Sequence, residues 1–219
     1  MALLAVAEAA ARLGVSERQV RHLAASGELR LLARGAIDEG SVDRLLAVRG
    51  QSHRRAWSTA TAWAAIALLS GVDAAWVGDS QRSRLKGRLR ALSAAQLVER
   101  ARDRAVTSRY AGHASTAARL RAQVVDTTAA AARAGLAQTP AVDGYVAADE
   151  LDELVRRHAL IRDDSGTYTL RATTMDLAVV QTLAQGTVLA ALGLAESLDI
   201  RERRVGLDAL DRVLADFHG

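Results

Sequence analysis

The stretch AVAEAAARLGVSERQVRHLAASGELRLLARGAIDEGSVDRLL, residues 5–46, decides the fold of the first part of the chain. It predicts a short helix, a turn at Gly14-Val15, a second helix, a basic hairpin and a third helix. Gly14 suits the tight turn because glycine adopts left-handed backbone conformations at little steric cost. Ser16 followed by Gln19 is the capping-box pattern of a helix start, so the second helix begins here.

Apolar and basic residues separate on this second helix. At 100° per residue, one side collects Val20, Leu23 and Ala24, and the opposite side collects Arg18, Arg21 and His22. The apolar side can pack on the first helix, through Val6, Ala9, Ala10 and Leu13. The basic side is then left in solvent, with the width of a helix that enters the major groove of double-stranded DNA. Ser16 and Gln19 are further candidate DNA contacts, although capping of the helix competes for both side chains.

The segment Leu29–Ile37 predicts a two-stranded wing, with Arg30 on one arm and Arg34 near the tip. An arginine on such a wing can contact phosphates or enter a minor groove. Gly27 is placed to end the second helix. The third helix is expected to be capped by Asp38 or Ser41 and to turn three side chains inward: Val42, Leu45 and Leu46.

Residues 3–49 resemble the excisionase and MerR-like winged helix-turn-helix module, through the core E-A-A-x-x-L-G-V-S-x-x-x-V-R that begins at Glu8. The resemblance implies a DNA-binding domain over residues 1–50. The alternative is an ordinary amphipathic helical hairpin whose arginines are merely solvated.

Composition sets the class of the whole chain. Its 219 residues suffice for two or three small domains, and half of them are apolar although only seven are aromatic. A core of alanine, leucine and valine favours closely packed helices, so we expect a mainly α fold with short β-hairpin wings. No cysteine is present, which excludes disulfides and thiolate metal sites. No targeting segment is visible, and the apolar run 59–69 is too short to span a bilayer, so we expect a cytoplasmic protein.

The charge is distributed unevenly along the chain. Residues 1–122 carry 20 Lys or Arg against 10 Asp or Glu, whereas residues 123–219 carry 9 against 15. A basic front and an acidic rear favour two partners of opposite character. Nucleic acid suits the basic part, and a basic protein surface or a second subunit suits the acidic part.

The sequence of residues 56–122 predicts a second, basic winged-helix-like domain. A helix over 57–69 is followed by a helix from Ser80 to Leu92, and residues 96–111 resemble a hairpin with strand arms at 97–100 and 105–110. The helix from Ser80 carries a leucine stripe flanked by five cations: Arg82, Arg84, Lys86, Arg88 and Arg90. These cations form a possible second DNA-binding patch, or they cover the core of their own domain.

Residues 123–219 predict an acidic helical domain for partner interaction. It contains one expected hairpin, with arms at 160–162 and 167–173 around the turn Asp163–Gly166, and two final helices over 187–198 and 202–217.

A second resemblance covers most of the chain. It rests on WxxATAWAAxALLSG at 57–71, R-S-R-L-x-x-R-L at 82–89 and LAESLDIRERRVGLDAL at 194–210, together with the first domain. This combination looks like antitoxins of the AbiE type. The resemblance implies a protein that represses its own operon and counters a nucleotidyltransferase-like toxin.

Nothing in the sequence favours an enzyme. The five histidines are scattered, and no phosphate-binding loop or nucleophile elbow stands in a suitable context. We therefore expect no catalytic residue, no metal and no cofactor. The sequence predicts a sequence-specific DNA-binding repressor, in the antitoxin role that the resemblance implies, and a homodimer is compatible with this prediction. The alternatives are a stand-alone excisionase-like or ligand-sensing regulator and a protein-interaction scaffold.

Overall fold

The computed structural model describes residues 3–25, 28–33, 35–49, 55–133, 142–197 and 199–218. The chain divides into two compact units, Met1–His53 and Arg54–Gly219. In the described part of the chain, helices predominate and the strands form two small sheets.

The first unit alternates helices with very short strands. In chain order these are β1 (Leu3–Ala5), α1 (Val6–Leu13), α2 (Glu17–Ala25), β2 (Leu31–Ala33), β3 (Ala36–Asp38) and α3 (Glu39–Arg49). The strands form an antiparallel sheet in the order β1-β3-β2. Its core joins both helices of the turn to the sheet and to α3: Ala9, Ala10, Val20, Leu23, Leu29, Ile37, Val42 and Leu45.

The helix ends of the first unit follow the predicted signals. Gly14 ends α1 with φ 65°, and its N–H donates to the carbonyls of Ala10 and Ala11. The Oγ of Ser16 accepts from the N–H of Gln19 at 3.2 Å, which caps α2. A carboxylate oxygen of Asp38 accepts from the N–H of Ser41 at 3.1 Å at the start of α3. The predicted cap Gly27 lies outside the described residues.

The second unit begins with helices and continues with strands and helices in alternation. Its elements are α4 (Thr59–Leu69), α5 (Asp79–Leu89), α6 (Ala94–Ala101), a 3-10 turn (Arg102–Arg104), β4 (Val106–Ala111), α7 (Thr116–Arg121), β5 (Val125–Asp126), α8 (Thr128–Arg133), β6 (Val142–Ala147), α9 (Leu151–Arg157), β7 (Ile161–Arg162), β8 (Tyr168–Thr173), α10 (Leu177–Leu183), α11 (Thr187–Ala195) and α12 (Ile200–His218).

A five-stranded sheet organises this second unit. Its order is β5-β6-β8-β4-β7, with β6 and β8 parallel and the other pairs antiparallel. Neighbouring residues of a strand point to opposite faces. Val146 accordingly packs in a cluster with Leu120 of α7 and Leu154 of α9, whereas Tyr145 belongs to the larger core with α4 and α11. Helices therefore cover both faces of the sheet.

The predicted strand arm at 97–100 is wrong, because these residues belong to α6. Ser93 and Gln96 form a capping box at the start of this helix. Four of its residues are buried at the i, i+3, i+4, i+7 spacing of a helix: Ala94, Leu97, Val98 and Ala101. The predicted hairpin over 96–111 does not form, and β4 pairs with β8 instead.

The predicted hairpin over 160–173 is also wrong. β7 and β8 do not pair with each other, and each pairs with β4. β8 is buried at all six positions and takes a central place in the sheet, whereas the two residues of β7 are exposed at its edge. Because β4 lies between β8 and β7, residues 54–219 form one unit where two domains, 56–122 and 123–219, were expected.

Among the described residues, no single helix has the length and apolar character needed to cross a bilayer. The pair α10 and α11 meets that requirement only when its two helices are counted together, and it is bent by 91° at the break.

Candidate nucleic-acid interface

The two faces of α2 differ sharply in exposure. Val20 and Leu23 are completely or almost completely buried on the side that packs on α1 and the sheet. Arg18, Arg21 and His22 are exposed on the opposite side. The apolar residues hold the helix on its support, and the three basic side chains extend into solvent along one surface.

Arg21 makes an ion pair within the helix. Its Nη2 lies 2.7 Å from a carboxylate oxygen of Glu17, one turn earlier, and the Arg21 side chain is 65% exposed. An exposed i,i+4 pair of this kind contributes only about 0.3–0.5 kcal/mol. A neutral external acceptor can therefore compete for the Arg21 guanidinium at little cost, whereas an anionic one is also repelled by the Glu17 carboxylate.

The other residues of the first unit that are predicted to contact DNA differ in exposure and in the hydrogen bonds that they already make. The Ser16 hydroxyl is engaged as the α2 cap, whereas the Gln19 side chain is exposed. Arg30 is half-buried, and its backbone is fixed because its N–H donates to the Ser41 hydroxyl at 3.1 Å and its carbonyl accepts from Asp38 at 2.9 Å. Arg34 lies outside the described residues.

Arg12 fixes the support of this surface by joining α1 to α3. Its guanidinium lies 2.6 Å from a carboxylate oxygen of Glu39 and 2.7 Å from one of Asp43. The hydrogen bond to Glu39, together with the charge of Asp43, raises the pKa of Arg12. Sequence reasoning did not single out this residue, although an arginine in the last turn of a helix favours such a contact.

The five cations of α5 do not share one surface. Leu85 and Leu89 are buried as expected. Arg82 is held by its own unit, through ion pairs with Asp79 and, at 3.2 Å, with Asp73. The guanidinium carbon of Arg90 lies 5.8 Å from the ring centre of Phe217. Arg82 is half-buried, and the other four occupy exposed positions: Arg84, Lys86, Arg88 and Arg90.

The exposed cations point in two directions. Arg84 and Arg88 are one turn apart and share a side, whereas Lys86 projects almost opposite to them. The Nε of Arg84 donates to the carbonyl of Ser80 at 3.1 Å. The exposed cations of the predicted second patch therefore fall on two sides, with Arg84 and Arg88 on one and Lys86 and Arg90 on the other.

A buried ion network at the centre of the second unit was missed by sequence reasoning. Arg171 in β8 makes two hydrogen bonds to the carboxylate of Asp143 in β6, at 2.7 and 3.0 Å, and a third to Glu196 at 2.6 Å. Arg104 donates to both oxygens of the Glu196 carboxylate, at 2.5 and 2.8 Å, and to the Tyr145 hydroxyl at 2.9 Å. Two guanidiniums thus alternate with two carboxylates.

Burial and charge act in opposite directions in this network. Burial alone would raise the pKa of Glu196, but the charges of Arg104 and Arg171 outweigh it and lower that pKa. Burial would lower the pKa of Arg171, and the Asp143 and Glu196 carboxylates raise it above its ordinary value. The four charged side chains of the network pair with one another, and their contacts link β6, β8 and the end of α11. A signal did exist, since Arg171 interrupts an otherwise uncharged strand pattern, YTLRAT.

Two aspartates accept hydrogen bonds from nearby backbone N–H groups. Asp199 caps α12, because its carboxylate accepts from the N–H groups of Arg201 at 2.7 Å and Glu202 at 3.1 Å. The Asp163 carboxylate accepts from Ser165 at 2.9 Å, as turn chemistry predicts. Within the described ranges, no group of three His, Asp or Glu side chains is arranged to hold a metal ion.

Comparison of the chain with known protein families, with curated proteins and with solved structures finds no match.

Proposed function

We propose that this protein is a sequence-specific DNA-binding transcriptional regulator whose first unit acts as a winged helix-turn-helix. In this proposal α1 and α2 form the helix-turn-helix and β2 with β3 forms the wing. The supporting observation is the exposed basic side of α2, which stands opposite a buried apolar side and follows a glycine turn.

The proposed contacts follow from the position of each side chain. Arg18, Arg21 and His22 enter the major groove, where a bidentate contact between arginine and guanine gives roughly 1–3 kcal/mol of discrimination. Gln19 lies on the flank of α2 and contacts a phosphate or a base edge. Arg30 and Arg34 of the wing contact phosphates, which adds affinity for all sequences alike.

We further propose that the protein represses its own operon as the antitoxin of a nucleotidyltransferase-like toxin. The support for this role is the resemblance of the sequence to AbiE-type antitoxins. The acidic residues 123–219 would then carry the toxin-binding surface. A homodimer fits the proposal, because a single small reading unit rarely binds one genomic site tightly enough.

A band-shift experiment tests the DNA-binding proposal. The full chain is titrated onto the DNA upstream of its own gene and onto a shuffled duplex of the same length, at several salt concentrations. We expect the upstream DNA to shift at protein concentrations at least about 10³-fold lower than those that shift the shuffled duplex. Equal affinity for the two duplexes contradicts the proposal.

Two variants test whether Arg21 contacts a base and whether Arg34 contacts a phosphate. Arg21→Ala is expected to reduce the preference between the duplexes by about tenfold or more, since a base contact is lost. Arg34→Ala is expected to weaken both complexes alike and to reduce the salt slope by about 1. Arg156→Ala is the matched control, because it removes the same charge from an exposed position of α9 in the other unit.

The antitoxin role has its own test. The protein is co-expressed with the product of a neighbouring nucleotidyltransferase-like open reading frame, and growth rescue and co-purification are measured. Rescue supports the antitoxin role. Operator binding without rescue contradicts that role and favours a stand-alone regulator.

A further inference from the structure

Glu17 is the only acidic residue in the sequence of α2, and it stands beside the basic face. On a helical projection it lies 40° from Arg21 and 60° from the buried Val20, at the border between the exposed and the buried sides. A carboxylate in this position would approach the negatively charged wall of any groove that α2 enters. Its presence therefore weakens the general attraction of this face for DNA.

The stability of the helix does not require this arrangement. Ser16 already caps the amino-terminal end of α2 through its bond to Gln19. An acidic side chain in the first turn interacts favourably with the helix dipole without any cationic partner. The ion pair with Arg21 is thus an additional feature, which places a carboxylate directly on a proposed base-reading group.

The geometry of the pair leaves one edge of Arg21 available. The Glu17 carboxylate accepts from Nη2 of Arg21 at 2.7 Å. Nη2 carries two N–H groups, one parallel to that of Nε and one parallel to that of Nη1, and Glu17 accepts from only one of them. The edge that contains the other Nη2 hydrogen can still form the parallel pair of bonds that guanine O6 and N7 accept. A phosphate, by contrast, must compete with the Glu17 carboxylate for the positive charge of Arg21, and the carboxylate repels the phosphate.

We propose that Glu17 is a specificity-determining residue, which keeps Arg21 from binding arbitrary phosphates and presents its free edge to guanine. This inference rests on the proposed function of the first unit. Glu17 would weaken binding to incorrect DNA sequences. Discrimination arises either from such a penalty or from stronger contacts with the correct sequence.

The test compares Glu17→Gln with the unchanged protein on the upstream DNA and on the shuffled duplex. Released from the carboxylate, Arg21 should bind phosphate in the non-specific complex. We expect the affinity for the shuffled duplex to rise about three- to tenfold and its salt slope to steepen by about 0.9, the increment for one added phosphate contact. Affinity for the upstream DNA should rise less, so that the ratio of the two affinities falls.

Glu39→Gln is the matched control. It makes the same change in net charge and removes a carboxylate from an ion pair of the same unit, while Arg12 keeps its contact with Asp43. This variant should leave the ratio of affinities unchanged. A fall of that ratio equal to the one in Glu17→Gln overturns the inference, because net charge alone would then explain it.

A second pair of variants separates Arg21 from the charge of Glu17 itself. In an Arg21→Gln background, Glu17→Gln should no longer steepen the salt slope. An undiminished effect overturns the inference, and so does an unchanged shuffled-duplex affinity in the single variant. Circular dichroism establishes that each variant is folded. An unchanged protein that lacks sequence preference overturns the proposed function and this inference together, whereas a sequence-specific protein with a silent Glu17→Gln overturns this inference alone.

Discussion

Arg171 lies in a strand that is buried at all six positions, and its charge is matched within hydrogen-bond distance by Asp143 and Glu196. Removing such groups from water costs several kcal/mol each, and only close pairing with good hydrogen bonds offsets that cost. Arg104 and Glu196 complete the balance. The network therefore tolerates the loss of one member poorly, because a charge is then left buried without its partner.

Glu196→Gln tests this balance. The substitution keeps the shape of the side chain but leaves Arg104 and Arg171 with only one carboxylate between them. We expect the free energy of unfolding to fall by about 3 kcal/mol, as measured in urea by the fluorescence of the three tryptophans. The matched control is Glu153→Gln, which breaks an exposed pair with Arg157 and should cost under about 1 kcal/mol. Equal losses in the two variants would show that burial of the network has no energetic consequence.

The pH dependence of stability follows from the same carboxylate. Because Arg104 and Arg171 lower the pKa of Glu196 below its ordinary value of 4.5, the folded state binds this proton less readily than the unfolded state. The contribution is complete above pH 4.5 and is lost as the pH falls through the lowered pKa. Urea unfolding from pH 6 to pH 3 should show a shallower decline in Glu196→Gln than in the unchanged protein, and parallel declines would refute the linkage.

At the scale of single elements, the sequence predicted helices with strong end signals and failed where strand partners were distant. The caps of α2 and α3 and the burial of Val20 and Leu23 could all be predicted, since each depends on residues within one or two turns. The Ser93 and Gln96 capping box was available in the sequence and would have identified α6 as a helix. The pairing of β8 with β6 could not be read locally, because strand register depends on the burial of both faces.

The contact between α11 and α12 depends on Gly206. A Cβ at this position would lie 2.4 Å from the backbone nitrogen of Ala195 and 2.6 Å from the carbonyl oxygen of Ala191. Backbone atoms of a packed helix cannot move aside as a flexible side chain can. The two helices thus approach closely because residue 206 has no side chain.

Gly206→Ala should therefore destabilise the second unit, although alanine is the better helix former by about 1 kcal/mol. We expect a net loss of about 1–3 kcal/mol in the free energy of unfolding, since overpacking exceeds the gain in propensity. Gly87→Ala in α5 is the control, because a Cβ there meets nothing within 4 Å. It should raise stability by up to about 1 kcal/mol, and a similar gain in Gly206→Ala would contradict the close approach.

At the scale of the whole molecule, the charge asymmetry and the basic face of α2 were legible in the sequence, but the organisation of residues 54–219 was not. A local pattern predicted separate domains before and after residue 122. The structure instead places β4 beside β8, with Val106 opposite Ala172. The buried network has the same origin, since Arg104 and Glu196 meet across 92 positions. Side chains that distant in sequence carry no periodic signal of their contact.

Each unit has a core of its own, so we predict that the protein unfolds in two steps. The first unit, built on a small core that includes Val20, should unfold at lower temperature, because so short a segment buries little apolar surface. All three tryptophans, at positions 57, 63 and 76, belong to the second unit. Circular dichroism therefore reports on both units, whereas tryptophan fluorescence reports on the second alone.

Val20→Ala separates the two steps. Removing two methyl groups from a completely buried position should destabilise the first unit by about 2 kcal/mol. The early step in circular dichroism should move to lower temperature while the fluorescence midpoint stays constant, and Gly206→Ala should move the fluorescence midpoint alone. A fluorescence midpoint that follows Val20→Ala would mean that both cores unfold cooperatively. If the proposed DNA binding belongs to the first unit, it should be lost as the early step is crossed, while the second unit is still folded. Retention of DNA binding above that step would contradict the proposed role of the first unit without recourse to any contact variant.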